Sequence, residues 1–177
     1  MIETKRTWIK ILDEPEAGLL LDYYMTNSAH LMQWEPKRPA DHFTLENFKK
    51  LAADAQRAMQ AGTAFHYIAI SKETKKVVGV CHFSGVTRGV FLACFLGYSI
   101  AKESEGKGLM KEILTPTIDY MFNSESLNRI IATYMPINKR SANVLASLGF
   151  EEEGRARKYL KINDRWEDHV LTAKINE

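Results

Sequence analysis

Tyr98-Ser99-Ile100-Ala101-Lys102-Glu103-Ser104-Glu105-Gly106-Lys107-Gly108-Leu109-Met110 joins an apolar, strand-like run to a helical pattern through a short polar loop with two glycines. The first turn of a helix carries backbone N–H groups with no partner inside the helix, and its dipole favours negative charge there. Glycine at 106 and 108 removes the Cβ atoms that would hold a phosphate away from the backbone. The stretch reads as a phosphate cradle at a strand–helix junction, or as a helix entry with two incidental glycines, and alone it favours neither. Lys111 stands where a dinucleotide fingerprint needs its third glycine, and no Gly-Lys-Ser/Thr closes a nucleotide P-loop. A pyrophosphate carrier of another kind is left.

The flanks set this loop in an α/β pattern. Phe91–Ala101 is almost continuously apolar, as in a central strand covered on both faces. Before it, Ala64–Ser71 and Val77–Val86 read as strands about the polar turn Lys72–Lys76. After it, a helix over Gly108–Phe122 faces the core with Met110, Ile113, Leu114, Ile118 and Met121, and Pro116 predicts a kink. Arg129–Met135 is a strand, and Asn138–Leu148 is a helix ended by Gly149. Glu151–Lys161 and Trp166–Lys174 form a closing hairpin. Toward the N-terminus, Trp8–Leu12 is a strand, and Glu14–Gln33 reads as two short helices parted by Thr26-Asn27-Ser28. Two prolines make Trp34–Pro39 a loop. Thr44 caps a helix running to about Ala61, with Phe48, Leu51, Ala52, Ala55 and Met59 on one stripe and Gly62 at its end. The order β-α-α-β-β-β-α-β-α-β-β predicts one domain over 1–177, with helices on both sides of a mixed sheet. The loop then falls at the carboxyl end of the central strand, where open α/β sheets bind ligands.

Composition bounds the class. The chain has 177 residues, 45% hydrophobic and 26% charged, with a formal net charge of +2. That suffices for a core without disulfides or metals, and the charge by itself predicts no nucleic-acid binder. Cys81 and Cys94 lie in apolar runs and read as buried small hydrophobes. His30, His42, His66, His82 and His169 show no metal-ligand spacing, so no metal is expected. His66 and His82 lie in strands where they could face one another, and read as buried, hydrogen-bonded structural residues. No apolar signal core follows Met1–Arg6, and no run approaches the ~18 apolar residues of a membrane span. A cytoplasmic protein with no membrane contact and no direct DNA binding is expected.

The element order, the Gly106/Gly108 loop, Asn138-Lys139-Arg140-Ser141 and Leu148-Gly149-Phe150 together resemble the GNAT acyltransferase superfamily. Leu96–Ile100, Gly106–Met110, Tyr134–Ser141 and Trp166–Thr172 narrow the resemblance to the RimJ-type branch, the bacterial ribosomal-protein-alanine N-acetyltransferases. It is specific from about Phe91 to the C-terminus and general over residues 1–90. The resemblance implies a GNAT-like α/β fold, its central sheet mostly antiparallel with flanking helices. It implies acetyl transfer from acetyl-CoA to the N-terminal alanine of a small-subunit ribosomal protein, with the small ribosomal subunit itself a possible partner. By the same resemblance the cofactor pyrophosphate sits on the backbone amides of Gly106, Lys107, Gly108, Leu109 and Met110. Its pantetheine runs beside the strand ending at Ile100, Asn138 holds it near the thioester, and Ser141 approaches the departing sulfur.

Two departures from the family stand out. Glu103 replaces the usual Arg or Gln three residues before the first loop glycine, and Glu105 adds a second carboxylate near a pyrophosphate. Lys102, Lys107 and Lys111 offset these acids, or the acids turn to solvent, which is the expectation. Leu145 stands where the family commonly carries a tyrosine acid, which leaves Ser141 or Tyr134 for that role.

Attack on a thioester needs a neutral amine, and Phe95 occupies the strand position where many GNAT enzymes place a glutamate base. An N-terminal amine has a pKa of ~7.7–8.0 against ~10.4 for lysine, so a site without a strong base favours an α-amine. A carboxylate relaying through water is the alternative, with Glu35, Glu167 and Asp168 as candidates or as plain surface groups. A backbone N–H near Leu96–Tyr98 is the natural oxyanion donor. Gly97 permits a local irregularity there, or simply makes room for a neighbouring ring. Tyr98 is a core tyrosine with a satisfied hydroxyl or a catalytic group. Gln33–Thr44 is read as the acceptor loop. Two other functions compete: a small-amine acetyltransferase, which needs a closed acidic pocket, and a ribosome-assembly factor that binds through Lys139, Arg140, Arg155, Arg157, Lys158 and Lys161.

Overall fold

The computed structural model describes residues 1–177, Ala40 by its backbone alone. Its eight strands are β1 (Ile2–Glu3), β2 (Thr7–Ile11), β3 (Phe65–Ser71), β4 (Val77–Thr87), β5 (Ala93–Ile100), β6 (Arg129–Tyr134), β7 (Glu151–Ile162) and β8 (Arg165–Ile175). They form one sheet in the order β1-β2-β3-β4-β5-β6-β8-β7. Every neighbouring pair is antiparallel except β5 and β6. Four helices cover it: α1 (Ala17–Leu31), α2 (Leu45–Gln60), α3 (Leu109–Asn123) and α4 (Lys139–Ser147). The mixed α/β architecture is the one the sequence predicts, with β1 as an added edge strand.

The two-residue period of a strand sends alternate side chains to opposite faces. Phe65, Tyr67 and Ala69 of β3 and Cys81 and Phe83 of β4 join α3 and α4 in one buried cluster. Ile68 and Val80 join α1 and α2 in the other. Cys81 and Cys94 are free and buried, as expected. The helix punctuation also holds. Thr44 Oγ1 accepts from Asn47 N at 3.2 Å, and Gly62 and Gly149 take left-handed φ of 64° and 81° just past α2 and α4.

Two expectations change. The segment read as two short helices over Glu14–Gln33 contains one continuous helix, α1. Asn27 does not break it, because its side chain is bonded at both ends: Nδ2 donates to Tyr23 O and Oδ1 accepts from Lys102 N, each at 2.9 Å. That second bond docks α1 on the loop after β5. The central strand is not covered on both faces, since Phe95 is 43% exposed and faces a cavity. Helix α3 runs through Pro116 as a single element.

The N-terminal segment braces the same loop. Glu112 of α3 accepts from Thr4 Oγ1 at 2.7 Å, Arg6 N at 2.8 Å and Arg6 Nε at 2.7 Å. Arg6 Nη1 donates onward to Lys107 O at 2.9 Å. Partial burial works to raise the Glu112 carboxyl, but the bonds from Thr4 and Arg6 and the Arg6 charge outweigh it and hold it below the usual range. A depressed carboxylate contributes stability in full above its unfolded value of ~4.3 and loses it as pH falls through the lower folded value. Glu112→Gln is therefore expected to cost about 1–2 kcal/mol at pH 7, discounted for the exposure of Arg6. Urea melts of both proteins should show the gap closing in acid; a gap unchanged from neutral pH to pH 3 would exclude this clamp.

Candidate active site

Strands β5 and β6 pair only from Ala93–Arg129 to Leu96–Ala132. Beyond that point β5 continues against β4 alone, Gly97 opposite His82 and Ile100 opposite Gly79. The far edge of Gly97–Ile100 has no strand partner, and the chain opens there into a cleft with two halves.

The first half is a groove of about 420 Å³ between the loop after β5 and helix α4. Ile100, Gly106, Gly108, Leu109, Met110, Asn138 and Ser141 all line it. Gly106 and Gly108 hold left-handed φ of 70° and 68°, and a Cβ on either would meet no atom within 4 Å. The space beside this backbone is open, so the bare main chain at the start of α3 faces the groove, as a pyrophosphate cradle requires. Lys107 is exposed and stands outside the lining. Asn138 caps α4, its Oδ1 accepting from Ser141 N at 3.1 Å.

The second half, about 640 Å³, lies on the sheet face shared with α1 and α2. Register explains its floor: Val80, His82 and Ser84 of β4 stand opposite Ser99, Gly97 and Phe95 of β5, and Ile131 of β6 stands opposite Phe95. Its walls come from Trp34–Arg38 and from the β7–β8 hairpin, whose turn holds the loop: Asn163 N donates to Glu35 O at 3.3 Å, and Lys37 Nζ pairs with Asp164 Oδ2 at 2.9 Å. Trp34, Glu35, Tyr98, Ser99, Asn138 and Ser141 line both halves and mark the junction. There Tyr98 Oη lies 2.7 Å from Ser141 Oγ. Burial pushes the Tyr98 phenol up to about 12, and the Ser141 bond works against it.

Several readings are corrected or sorted. Glu103 turns to solvent as expected, but Glu105 does not: its carboxylate meets Arg140 Nη1 at 2.6 Å and lies 3.3 Å from His30 Nε2, all three lining the groove. The groups that meet it are Arg140 and His30, not the three lysines. Gly97 makes no irregularity against β4. A Cβ there would lie 2.6 Å from His82 Nε2, so the glycine makes room for that ring. His66 and His82 do face each other, ring centres 5.4 Å apart. His82 is open to the second half rather than buried from water, yet enough protein surrounds it to push it down to about 4, with His66 and Arg38 adding to that. Tyr134 lines the second half only. Leu145 is buried in the core, so no acid replaces the family tyrosine at that position. Asp168 Oδ1 accepts from Lys158 N at 2.8 Å, and neither it nor Glu167 lines the cleft. The Glu105–Arg140 pair was beyond sequence reasoning; its one signal is an acid set directly before the first loop glycine.

The acetyltransferase (GNAT) domain family matches residues 11–151. The chain is 42% identical to the ribosomal protein uS5-alanine N-acetyltransferase of Escherichia coli strain K12, over 97% of this chain and 89% of that one. A ribosomal-protein-S5-alanine acetyltransferase from Vibrio fischeri superposes with a TM-score of 0.96 at 40% identity, covering 99% of this chain and 96% of that one. A Mycobacterium smegmatis RimJ solved in complex with CoA-disulfide shares the fold at 24% identity, with a TM-score of 0.89 over 97% of this chain and 86% of that one.

Gly108→Glu should abolish coenzyme A binding measured by calorimetry, because it sets a carboxylate against the exposed amides. Gly89→Glu is the control, since Gly89 has a like φ of 77° and equally open space. Both are expected to melt slightly lower from left-handed strain, of order 1–2 kcal/mol. Near-normal affinity in Gly108→Glu would remove the cradle.

Proposed function

This chain belongs to the GNAT acetyltransferase family, and from that premise we propose that it acetylates the N-terminal α-amine of a ribosomal protein, an alanine amine on a small-subunit protein. Residues 1–177 act as one domain, in the cytoplasm. The donor is acetyl-CoA, which supplies an activated thioester carbonyl. The observation that carries the reading is the meeting of the two halves of the cleft at Tyr98, Ser141 and Asn138.

The chain's own groups divide the work. Backbone amides from Gly106 to Met110 take the pyrophosphate. The free edge of β5 up to Ile100 offers main-chain partners to an extended pantetheine arm. Asn138, oriented by its bond to Ser141 N, holds that arm at the junction. Ser141 donates to the departing sulfur, and Tyr98 behind it keeps its proton throughout the neutral range. Tyr134, on the acceptor side, orients the incoming chain terminus.

The acceptor half supports an α-amine over a polyamine. A polycation calls for several carboxylates, whereas among the described residues one lines this half, Glu35, beside Arg38 and Lys161. The basic stripe suited to a ribosome-binding role is also partly spent within the chain, Arg140 on Glu105 and Arg155 on Glu152. Intact-mass analysis of ribosomal proteins incubated with enzyme and acetyl-CoA tests the assignment. Acetylation of a small-subunit protein beginning with alanine is expected, and modification confined to the large subunit would refute it.

An unblocked Ala-initiated peptide should be acetylated faster than its N-terminally blocked, lysine-bearing twin; the reverse order excludes an α-amine acceptor. Ser141→Ala should lower turnover about 10²-fold, the low end for a positioned acid, because thiolate is already a good leaving group. Coenzyme A affinity should stay within a few-fold. Unchanged turnover would take Ser141 out of the reaction.

A further inference from the structure

Beyond the acceptor class, on which this inference rests, the structure leaves the receiver of the amine proton to be found. With phenylalanine at 95, the central strand offers no carboxylate. Among the described residues, Glu35 is the only carboxylate lining the acceptor half of the cleft, and it lines the cofactor half as well. It therefore stands where the amine and the thioester must meet.

Its position is fixed rather than incidental. Its carbonyl accepts from Asn163 N at 3.3 Å, and Lys37, two residues on, is paired with Asp164 at 2.9 Å. Ser99, which lines both halves with Glu35, has its hydroxyl 2.9 Å from Tyr23 Oη. Trp34 and Pro36 flank it in the cavity wall. The geometry points to Glu35 as the general base, taking one proton from the acceptor ammonium as the amine enters.

The protons balance over a turnover. Glu35 removes one proton from the ammonium and passes it to water, and the freed lone pair forms the C–N bond to the acetyl carbon as the C–S bond breaks. The second amine proton leaves the nitrogen through the emptied carboxylate to water, while Ser141 gives its proton to the departing sulfur and is restored from water, so one proton ends on sulfur and one in solvent. The neighbours favour this. Burial lifts the Glu35 carboxyl above its ordinary value, with Arg38 and Ser99 opposing, so it binds a proton more readily than a surface acid. Tyr23 and Tyr24 of α1 are raised by burial and stay uncharged, and His82 of β4 is neutral at physiological pH. Tyr98 of β5, Tyr134 of β6, Tyr159 and Lys161 of β7 and His169 of β8 line the same cavity.

Glu35→Gln tests the assignment with the Ala-initiated peptide. Turnover should fall about 10²–10³-fold at pH 7. The ratio of wild-type to variant turnover should widen as pH falls from 9 to 6, because the variant must await an amine already neutral. Coenzyme A affinity and melting temperature should stay unchanged. A second readout needs no turnover: calorimetry on the coenzyme A-bound protein should show the unblocked peptide binding about tenfold weaker to the variant, and the N-acetylated peptide binding both alike. A constant turnover ratio across pH, turnover within threefold of wild type, or equal loss of affinity for both peptides would overturn the assignment. A wild-type protein that leaves the peptide unmodified would instead overturn the acceptor reading on which this one depends.

Discussion

In a parallel strand pair, any backbone group not bonded to the neighbour must find another partner or face water. The β5–β6 ladder stops at Leu96 and Ala132, and the last residues of β5 are held from one side only, by β4. Neither strand can simply close the gap. β6 turns at Met135-Pro136 into α4, and β5 ends in the loop that starts α3. The sheet is thereby split at the spot where two helix N-termini converge, those of α3 at Gly108 and α4 at Asn138. A free strand edge beside the start of α3, which no side chain caps, is a complementary surface for an extended, anionic thioester carrier.

Charge in the groove is tuned by a pair rather than by a surplus of lysine. Glu105 would repel a pyrophosphate, yet it reaches across to Arg140 of α4 and lies close to His30 of α1. The carboxylate is partly buried and its partner is mostly exposed, so the pair contributes more to geometry than to stability. It connects the loop wall to the helix wall of the groove. The second half is organised differently: among the described residues one carboxylate lines it, Glu35, with the His82 imidazole that burial pushes down to about 4.

What the sequence made legible depended on how local its causes were. Thr44, Gly62 and Gly149 act within a few residues of themselves, and their capping roles read off directly. The apolar runs of β3 to β5 placed the core in the same way. Asn27 misled because its second partner, Lys102 N, is 75 residues away, and local pattern assigns an Asn in a helical run to a break. Phe95 misled because hydrophobicity predicts burial, whereas this ring is 43% exposed in the wall of the cleft. Gly97 was ambiguous until the His82 ring appeared opposite it. Glu35 was one of three candidate carboxylates, and only the fold sets it apart from Glu167 and Asp168.

The tether between Lys37 and Asp164 spans 127 residues of sequence. The cofactor groove is assembled mostly within β5, α3, β6 and α4, a continuous stretch. Loop closure over a long separation is entropically slower to achieve than closure over a short one. The two halves of the cleft are thus separated in folding time. On a chain emerging from the N-terminus, the groove's walls are all present before the final hairpin is made. The second half gains its last wall only when residues 163–164 dock on the loop at 35–37, so the cleft becomes whole only with the last hairpin of the chain.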